Sequence, residues 1–187
     1  MVEKNVARSE LILGGQKSGK TRRAEELAAA WLVQSPSHRA IYIATAQAWD
    51  EEMRERIARH RLDRARRVPR METVEEPHEL AQAIGANSRA DTLIVVDCLT
   101  LWLTARLMPH AGDAQPVDGD EIPRALARCA GPIILISNEI GQGVVPMGRD
   151  SRQFVDALGS LNQAAAAASE RVTLMSAGLA ITLKGTA

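Results

Sequence analysis

The chain has 187 residues, of which 45% are hydrophobic and 25% charged, and its 23 basic and 23 acidic side chains cancel. These values are typical of one globular domain with a substantial core, and they disfavour a broad nucleic-acid-binding surface. Since no apolar run has the length of a membrane span and the first residues lack a signal-peptide core, we expect a cytoplasmic protein without membrane insertion.

Short apolar runs alternate with longer amphipathic ones along the chain. Nearly continuous apolar runs predict buried strands at 11–13, 40–44, 92–96 and 132–137. Helical periodicity predicts helices at 20–33, 50–63, 76–85, 120–130 and 150–169. Near the end, two strand-like pieces flank Ser176-Ala177-Gly178 and predict a closing hairpin. The alternation predicts one α/β domain spanning 1–187, with right-handed crossovers.

The first predicted strand leads into a phosphate-binding pattern. Gly14, four further residues and Gly19-Lys20-Thr21 match the P-loop, with a strand before it and a helix after it. The glycines let backbone N–H groups converge on phosphate oxygens at the positive end of the helix. The flanking elements disfavour the alternative, a glycine-rich turn that merely caps the helix. The predicted nucleotide-binding residues of this segment are Gly14, Gly15, Gln16, Lys17, Ser18, Gly19, Lys20 and Thr21.

An acidic side chain ends the third predicted strand. Asp97 follows T-L-I-V-V, at the carboxyl edge of a buried strand, where parallel sheets collect their ligands. Lys20 is expected to reach the β- and γ-phosphates, while Thr21 and Asp97 are the predicted Mg²⁺ ligands. The alternative for Asp97 is a cap of the following helix. Cys98 and Cys129 lack metal-ligand spacing, and Cys98 is expected to be a small buried hydrophobe.

A histidine lies on an arginine-rich helix. Met53, Ile57 and His60 are spaced four and three residues apart, along one face, and four arginines between 56 and 64 surround this stripe. Local sequence alone favours a packed structural histidine. The alternative is an imidazole nucleophile that attacks phosphorus while the arginines neutralise the phosphates.

Several segments, in order along almost the whole chain, resemble the bifunctional adenosylcobinamide kinase / adenosylcobinamide-phosphate guanylyltransferase family of cobalamin biosynthesis. Besides the P-loop, they include T-V-E-E, V-V-D-C-L-T-L-W-L and S-A-G-L-A-I-T-L-K. R-I-x-x-H at 56–60 and S-N-E-I-G-Q-G-V-V-P at 137–146 are the most particular to the family. The expected fold class is an α/β, P-loop (RecA-like) three-layer sandwich, whose mostly parallel sheet ends in a C-terminal antiparallel hairpin.

The resemblance implies two reactions and the residues that perform them. ATP or GTP phosphorylates adenosylcobinamide, and GTP then donates GMP to the new phosphate through a GMP–histidine intermediate, giving adenosylcobinamide-GDP. His60 and Lys20 are the implied catalytic residues, and a homotrimer is the implied assembly. Further nucleotide contacts are implied at Arg61, Leu62, Asp63, Arg64, Glu75 and Asp97. Glu72 is an alternative to Glu75, because the spacing after His60 is longer than the family pattern.

Two physical expectations follow from this pair of reactions. One nucleotide pose does not readily present both the γ- and the α-phosphorus, so we expect the helix that carries His60 to move or the nucleotide to bind in two ways. The flat corrin substrate has Trp31, Trp49 and Trp102 as candidate aromatic contacts. Two other hypotheses stay open: a P-loop kinase of another small molecule with a structural His60, and a non-catalytic nucleotide switch.

Overall fold

The computed structural model describes residues 5–111 and 113–186. Its strands are β1 (Ser9–Gly14), β2 (Arg39–Ala44), β3 (Met71–Glu75), β4 (Thr92–Asp97), β5 (Ile133–Ile136), β6 (Arg171–Ser176) and β7 (Leu179–Lys184). Its helices are α1 (Lys20–Gln34), α2 (Glu51–Arg67), α3 (Leu80–Asn87), α4 (Leu99–Leu107), α5 (Glu121–Arg128) and α6 (Arg149–Ala168). The strands form one sheet in the order β3-β2-β4-β5-β1-β6-β7. Only the β6–β7 pair of this sheet is antiparallel.

Helices cover both faces of the sheet. On one face, Ile12, Tyr42 and Val95 pack against α1 and against Val68, which ends α2. On the other face, Leu11, Ile43, Val96 and Leu135 pack against apolar side chains of α3 to α6. The central strands are buried on both sides, which is why their sequences are continuously apolar rather than alternating. The predicted α/β three-layer sandwich is confirmed.

The C-terminal hairpin is also confirmed. β6 and β7 are joined through Ala177 and Gly178, which both have positive φ angles, of 51° and 81°. Two consecutive left-handed residues give a turn whose twist matches that of the flanking strands. The turn reaches the phosphate-loop segment, because the Gly178 N–H donates to the Ser18 carbonyl at 3.0 Å.

Two elements were not predicted, and one helix begins later than expected. β3 is a half-polar strand at the sheet edge, so M-E-T-V-E lacks the apolar run of the central strands. α4 lies in L-T-L-W-L-T-A-R-L, whose nearly continuous apolar character hides the helical period, since most of its side chains are buried. The helix predicted from 76 begins at Leu80, because the Glu76 carboxylate accepts the N–H groups of His78 and Glu79 in a preceding turn.

Within residues 5–111 and 113–186, no helix combines the length and the apolarity that crossing a bilayer demands.

Candidate active site

The P-loop connects β1 to α1 and has the backbone shape that its glycines permit. Gly14 and Gly19 have φ angles of 150° and 104°. A side chain at Gly14 would run into the Met175 carbonyl, and its Cβ would lie only 2.6 Å from the Ser18 hydroxyl oxygen. The loop is therefore pressed against β6, and this contact excludes any residue larger than glycine at its first position. Gly15, Gln16 and Lys17 form the exposed outer side of the loop.

The interior of the loop contains groups that suit a phosphate. Lys20 is buried, and its ammonium group donates to the Gly14 and Gly15 carbonyls at 2.8 and 2.7 Å. Burial lowers the pKa of Lys20, while the charge of Asp97 opposes this shift and that of Arg56 adds to it. The Ser18 hydroxyl is buried and has no hydrogen-bond partner among the described residues. Since buried polar atoms are normally paired, this hydroxyl fits a bound phosphate oxygen.

Beside the loop, Thr21 and Asp97 lie together. The Thr21 hydroxyl donates to Asp97 Oδ2 at 2.8 Å, and the Tyr42 hydroxyl donates to the same oxygen at 2.7 Å. Asp97 is not the cap of the next helix, because the N-cap residue of α4 is Cys98. A hydroxyl and a carboxylate are hard oxygen donors that fit Mg²⁺, which takes its other ligands from phosphates and water. In the described part of the chain, no cluster of three or more His, Cys, Asp or Glu side chains offers an alternative metal site.

The helix α2 carries His60 with its side chain exposed to solvent. It is therefore not the packed structural histidine that the local sequence favours, although Met53 and Ile57 of the same stripe are half-buried. Arg56 lies near enough to Lys20 to lower its pKa, and the Arg64 guanidinium lies 3.7 Å from the centre of the Tyr42 ring. Each step of four residues turns by about 40° around a helix, so His60 lies midway on the face bounded by these two arginines. At one end of this face, the charge of Arg56 reaches Lys20 of the P-loop.

The residues after His60 have different surroundings. Arg61 forms an ion pair with Glu75, and Asp63 Oδ2 lies 3.8 Å from Arg67 Nη2. Leu62 is 62% exposed. The guanidinium of Arg64 is buried against Tyr42 and donates to the Thr73 hydroxyl at 3.1 Å, so it faces the sheet rather than solvent.

The two candidate glutamates of β3 lie on opposite faces of the sheet. Glu75 pairs in register with Ala44, as Asp97 does from the other side of β2, so Glu75 and Asp97 share the carboxyl edge. Glu72 is three residues earlier and therefore points to the other face. It forms an ion pair with Arg39 at 2.9 Å, at the start of β2. The structure thus brings Glu75, rather than Glu72, to the edge where the P-loop and α2 lie.

The S-N-E segment after β5 contacts the P-loop directly. The Glu139 N–H donates to the Gly14 carbonyl at 3.2 Å, and Asn138 is held through its backbone by Thr100 and Asn162. Since β5 lies between β1 and β4, this segment emerges between the P-loop and Asp97.

Sequence reasoning missed Tyr42 as a residue of this site. Its only signal is chemical: a tyrosine within an apolar strand must find a partner for its hydroxyl. That partner, Asp97, belongs to the neighbouring strand, and the strand order cannot be obtained from the sequence of β2 alone.

Comparisons with known proteins agree on one family. A model of the family described as cobinamide kinase / cobinamide phosphate guanyltransferase matches residues 10–183. The bifunctional adenosylcobalamin biosynthesis protein CobP of Pseudomonas aeruginosa is 50% identical, over 94% of this chain and 97% of its own length. The bifunctional adenosylcobalamin biosynthesis protein CobU of Escherichia coli is 34% identical, over 93% of this chain and 98% of its own length.

A solved structure with a similar fold is that of the flagellar accessory protein FlaH from Methanocaldococcus jannaschii. Its TM-score is 0.55 at 14% identity, over 97% of this chain and 80% of that one. At this identity the likeness shows the fold alone.

Proposed function

The chain belongs to the cobinamide kinase / cobinamide phosphate guanyltransferase family, and from this premise we propose that it performs both reactions on adenosylcobinamide. It phosphorylates the substrate hydroxyl with ATP or GTP, and it then transfers GMP from GTP to the resulting phosphate through a GMP–histidine intermediate. The observation that carries the proposal is the placement of His60: its exposed side chain lies on α2 between Arg56, whose charge reaches Lys20 of the P-loop, and Arg64, which packs on Tyr42.

In the first reaction, the substrate hydroxyl attacks the γ-phosphorus and the nucleoside diphosphate leaves. The P-loop N–H groups and Lys20 hold the phosphate chain and stabilise the charge that develops on it. Mg²⁺, held by Thr21 and Asp97, would neutralise part of the phosphate charge when bound. Without nucleotide, the Lys20 ammonium donates to the Gly14 and Gly15 carbonyls. When a nucleotide binds, its phosphate oxygens would accept these hydrogen bonds in place of the carbonyls.

In the second reaction, the neutral imidazole of His60 attacks the α-phosphorus of GTP. The bond between the α-phosphorus and the bridging oxygen breaks, pyrophosphate leaves, and a phosphoramidate links GMP to the ring. A phosphate oxygen of adenosylcobinamide phosphate then attacks the same phosphorus, and the histidine is released. Arg61, Leu62 and Asp63, together with Glu75 and Asp97, are the proposed surroundings of the guanine nucleotide. Arg64, the fourth residue expected there, has its guanidinium buried against Tyr42, so we propose that it acts through the helix instead of touching the nucleotide.

The two reactions need different alignments, and we propose that α2 moves between them. Among the described residues of α2, Arg64 alone is buried. Polar contacts with neighbouring elements hold the rest of the helix, including the bond from Arg67 to Glu25 at 2.7 Å. Such a helix can pivot about its buried Arg64 at low free-energy cost, since no large apolar surface is exposed when its other turns move.

We also propose a cytoplasmic homotrimer. β7 is an edge strand whose residues are all exposed, including Leu179, Ile181 and Leu183 at 70%, 49% and 57%. Exposed apolar edge strands favour association with another chain. Of the three tryptophans, Trp102 is fully buried and Trp31 is half-buried against His38. Trp49 is 50% exposed even though its ring stacks on His110, so it is the proposed aromatic contact for the corrin.

The test uses GTP labelled at its α-phosphate. We expect acid-labile, hydroxylamine-sensitive label on the wild-type protein and none on His60→Ala. His38→Asn is the control and should be labelled like the wild type. His38 lies just before β2, at the amino ends of the strands, whereas the P-loop lies at their carboxyl ends. Label that persists in His60→Ala would exclude His60 as the nucleophile. A wild type that phosphorylates a small molecule without becoming labelled would instead be an ordinary kinase, and one that binds GTP without any turnover would be a switch.

A further inference from the structure

A stacked guanidinium–phenol pair connects the helix that carries His60 to the carboxylate of the proposed metal site. Arg64 lies one helical turn after His60, and its guanidinium lies 3.7 Å from the centre of the Tyr42 ring. The Tyr42 hydroxyl donates to Asp97 Oδ2 at 2.7 Å. The chain of contacts therefore runs from α2, through Tyr42 of β2, to the Asp97 oxygen that also accepts the Thr21 hydroxyl.

Tyr42 is placed to fix the orientation of Asp97. The ring is only 4% exposed, and its hydroxyl shares Oδ2 with that of Thr21. Two donors on one oxygen leave Oδ1 as the freer oxygen of the carboxylate, which sets the side from which a cation is bound.

Arg64 is placed to fix the position of α2. Its side chain is buried, whereas Asp63 before it is half-buried and Ala65 after it is exposed. Its guanidinium also donates a hydrogen bond to the Thr73 hydroxyl of β3 at 3.1 Å. A planar guanidinium on an aromatic face has one preferred distance and tilt, unlike an apolar contact that tolerates sliding. Since His60 precedes Arg64 by four residues, this stack determines where the imidazole lies relative to the P-loop.

We propose that Arg64 and Tyr42 are positioning residues of the guanylyl transfer, and that their stack couples the docking of α2 to the metal-binding carboxylate. The inference rests on the proposed function of His60. Arg64 acts only through the helix, and so it should matter for the reaction that uses the histidine. Tyr42 acts through Asp97, and so it should matter for both reactions.

The experiment compares two rates in three purified variants. Arg64→Met keeps the length and the apolar stem but removes the charged plane, Tyr42→Phe removes only the hydroxyl, and Arg66→Met is the control on an exposed position of the same helix. For Arg64→Met we expect GMP labelling of His60 to slow about tenfold, with phosphoryl transfer to adenosylcobinamide within about twofold of the control. For Tyr42→Phe we expect both reactions to need about tenfold more Mg²⁺ for half-maximal rate.

A second measurement does not depend on activity. Tyr42 is the only tyrosine in the chain, so a ¹³C-labelled tyrosine ring gives NMR signals from this one site. We expect Arg64→Met to shift these signals in the ligand-free protein, Arg66→Met to leave them unchanged, and Mg²⁺ with GTP to shift them in the wild type.

Three results would overturn the inference. Arg64→Met could slow both reactions equally, it could be labelled as fast as Arg66→Met, or the NMR signals of Tyr42 could be the same in Arg64→Met as in the wild type. If Arg64→Met does not fold, Arg64→Lys replaces it, because lysine keeps the charge without the planar group and must show the same selective loss. A wild type that is never labelled refutes the proposed function instead, and the NMR result still decides whether Arg64 and Tyr42 are coupled to the metal and nucleotide site.

Discussion

A buried ion pair joins β1, the strand that leads into the P-loop, to β6, and removing this ion pair should cost much of the stability of the protein. Glu10 of β1 is 1% exposed and accepts hydrogen bonds from Arg171 Nε at 2.9 Å and Thr173 Oγ1 at 2.7 Å. Replacing Arg171 with Met leaves the buried Glu10 carboxylate without its partner charge, which costs about 3–5 kcal/mol of unfolding free energy. For a chain of this size we expect a fall in Tm of roughly 10 °C, measured by calorimetry, and a lower urea midpoint with an unchanged slope.

Two further variants separate charge burial from lost packing. In Glu10→Leu/Arg171→Met no charge is left buried, so most of the lost stability should return. Thr173→Val should cost only about 1–3 kcal/mol, since Arg171 still pairs with the carboxylate. The folded variants should bind GTP normally, because Glu10 lies near the start of β1 and the P-loop follows its end. An Arg171→Met protein within 1 kcal/mol of the wild type, or a double variant less stable than the single one, would refute this reasoning.

Two other predictions concern the site itself. Gly14→Ala should abolish GTP binding in titration calorimetry, because its Cβ would collide with the Met175 carbonyl at a φ of 150°, whereas Gly159→Ala, with open space on α6, should bind GTP normally. Burial, with help from Asp97, raises the pKa of Cys98 to about 12, so alkylation at neutral pH, followed by mass spectrometry, should modify this thiol about a thousandfold more slowly in the native than in the unfolded protein. Similar rates in both states would contradict the burial of Cys98.

The sequence specifies the central fold well because the central strands are buried on both faces. Continuous apolar runs such as T-L-I-V-V are unambiguous there, and the P-loop fixes the junction of β1 with α1. The edge strand β3 and the short helix α4 escape prediction for opposite reasons. β3 is too polar to give a strand signal, while α4 is too apolar to show a helical period. Both elements owe their structure to the neighbours they pack against, which no local window contains.

Site residues that belong to one sequence motif could be predicted, whereas those brought together by neighbouring strands could not. Lys20 and Thr21 belong to one motif, and Asp97 follows from the rule that ligands collect at the carboxyl edge. Tyr42 and the choice of Glu75 over Glu72 depend on strand order and on which face each residue occupies. For Glu75 the face could have been deduced once β3 was known to be a strand, because residues three apart point in opposite directions.

The exposure of His60 agrees with what the proposed transfer of GMP requires. In that proposal, the imidazole attacks the α-phosphorus of GTP, and a second large substrate then attacks the same phosphorus. Both steps need open approach, so the ring cannot be packed into the core. An exposed side chain on a polar helix has, however, little to fix its position. Arg64, one turn away, is buried against Tyr42, so that the helix is anchored to the sheet while the imidazole of His60 stays exposed. This also explains why helical periodicity wrongly favoured a packed His60. After the half-buried Met53 and Ile57, the next side chain of this helix that is turned toward the core is Arg64 rather than His60.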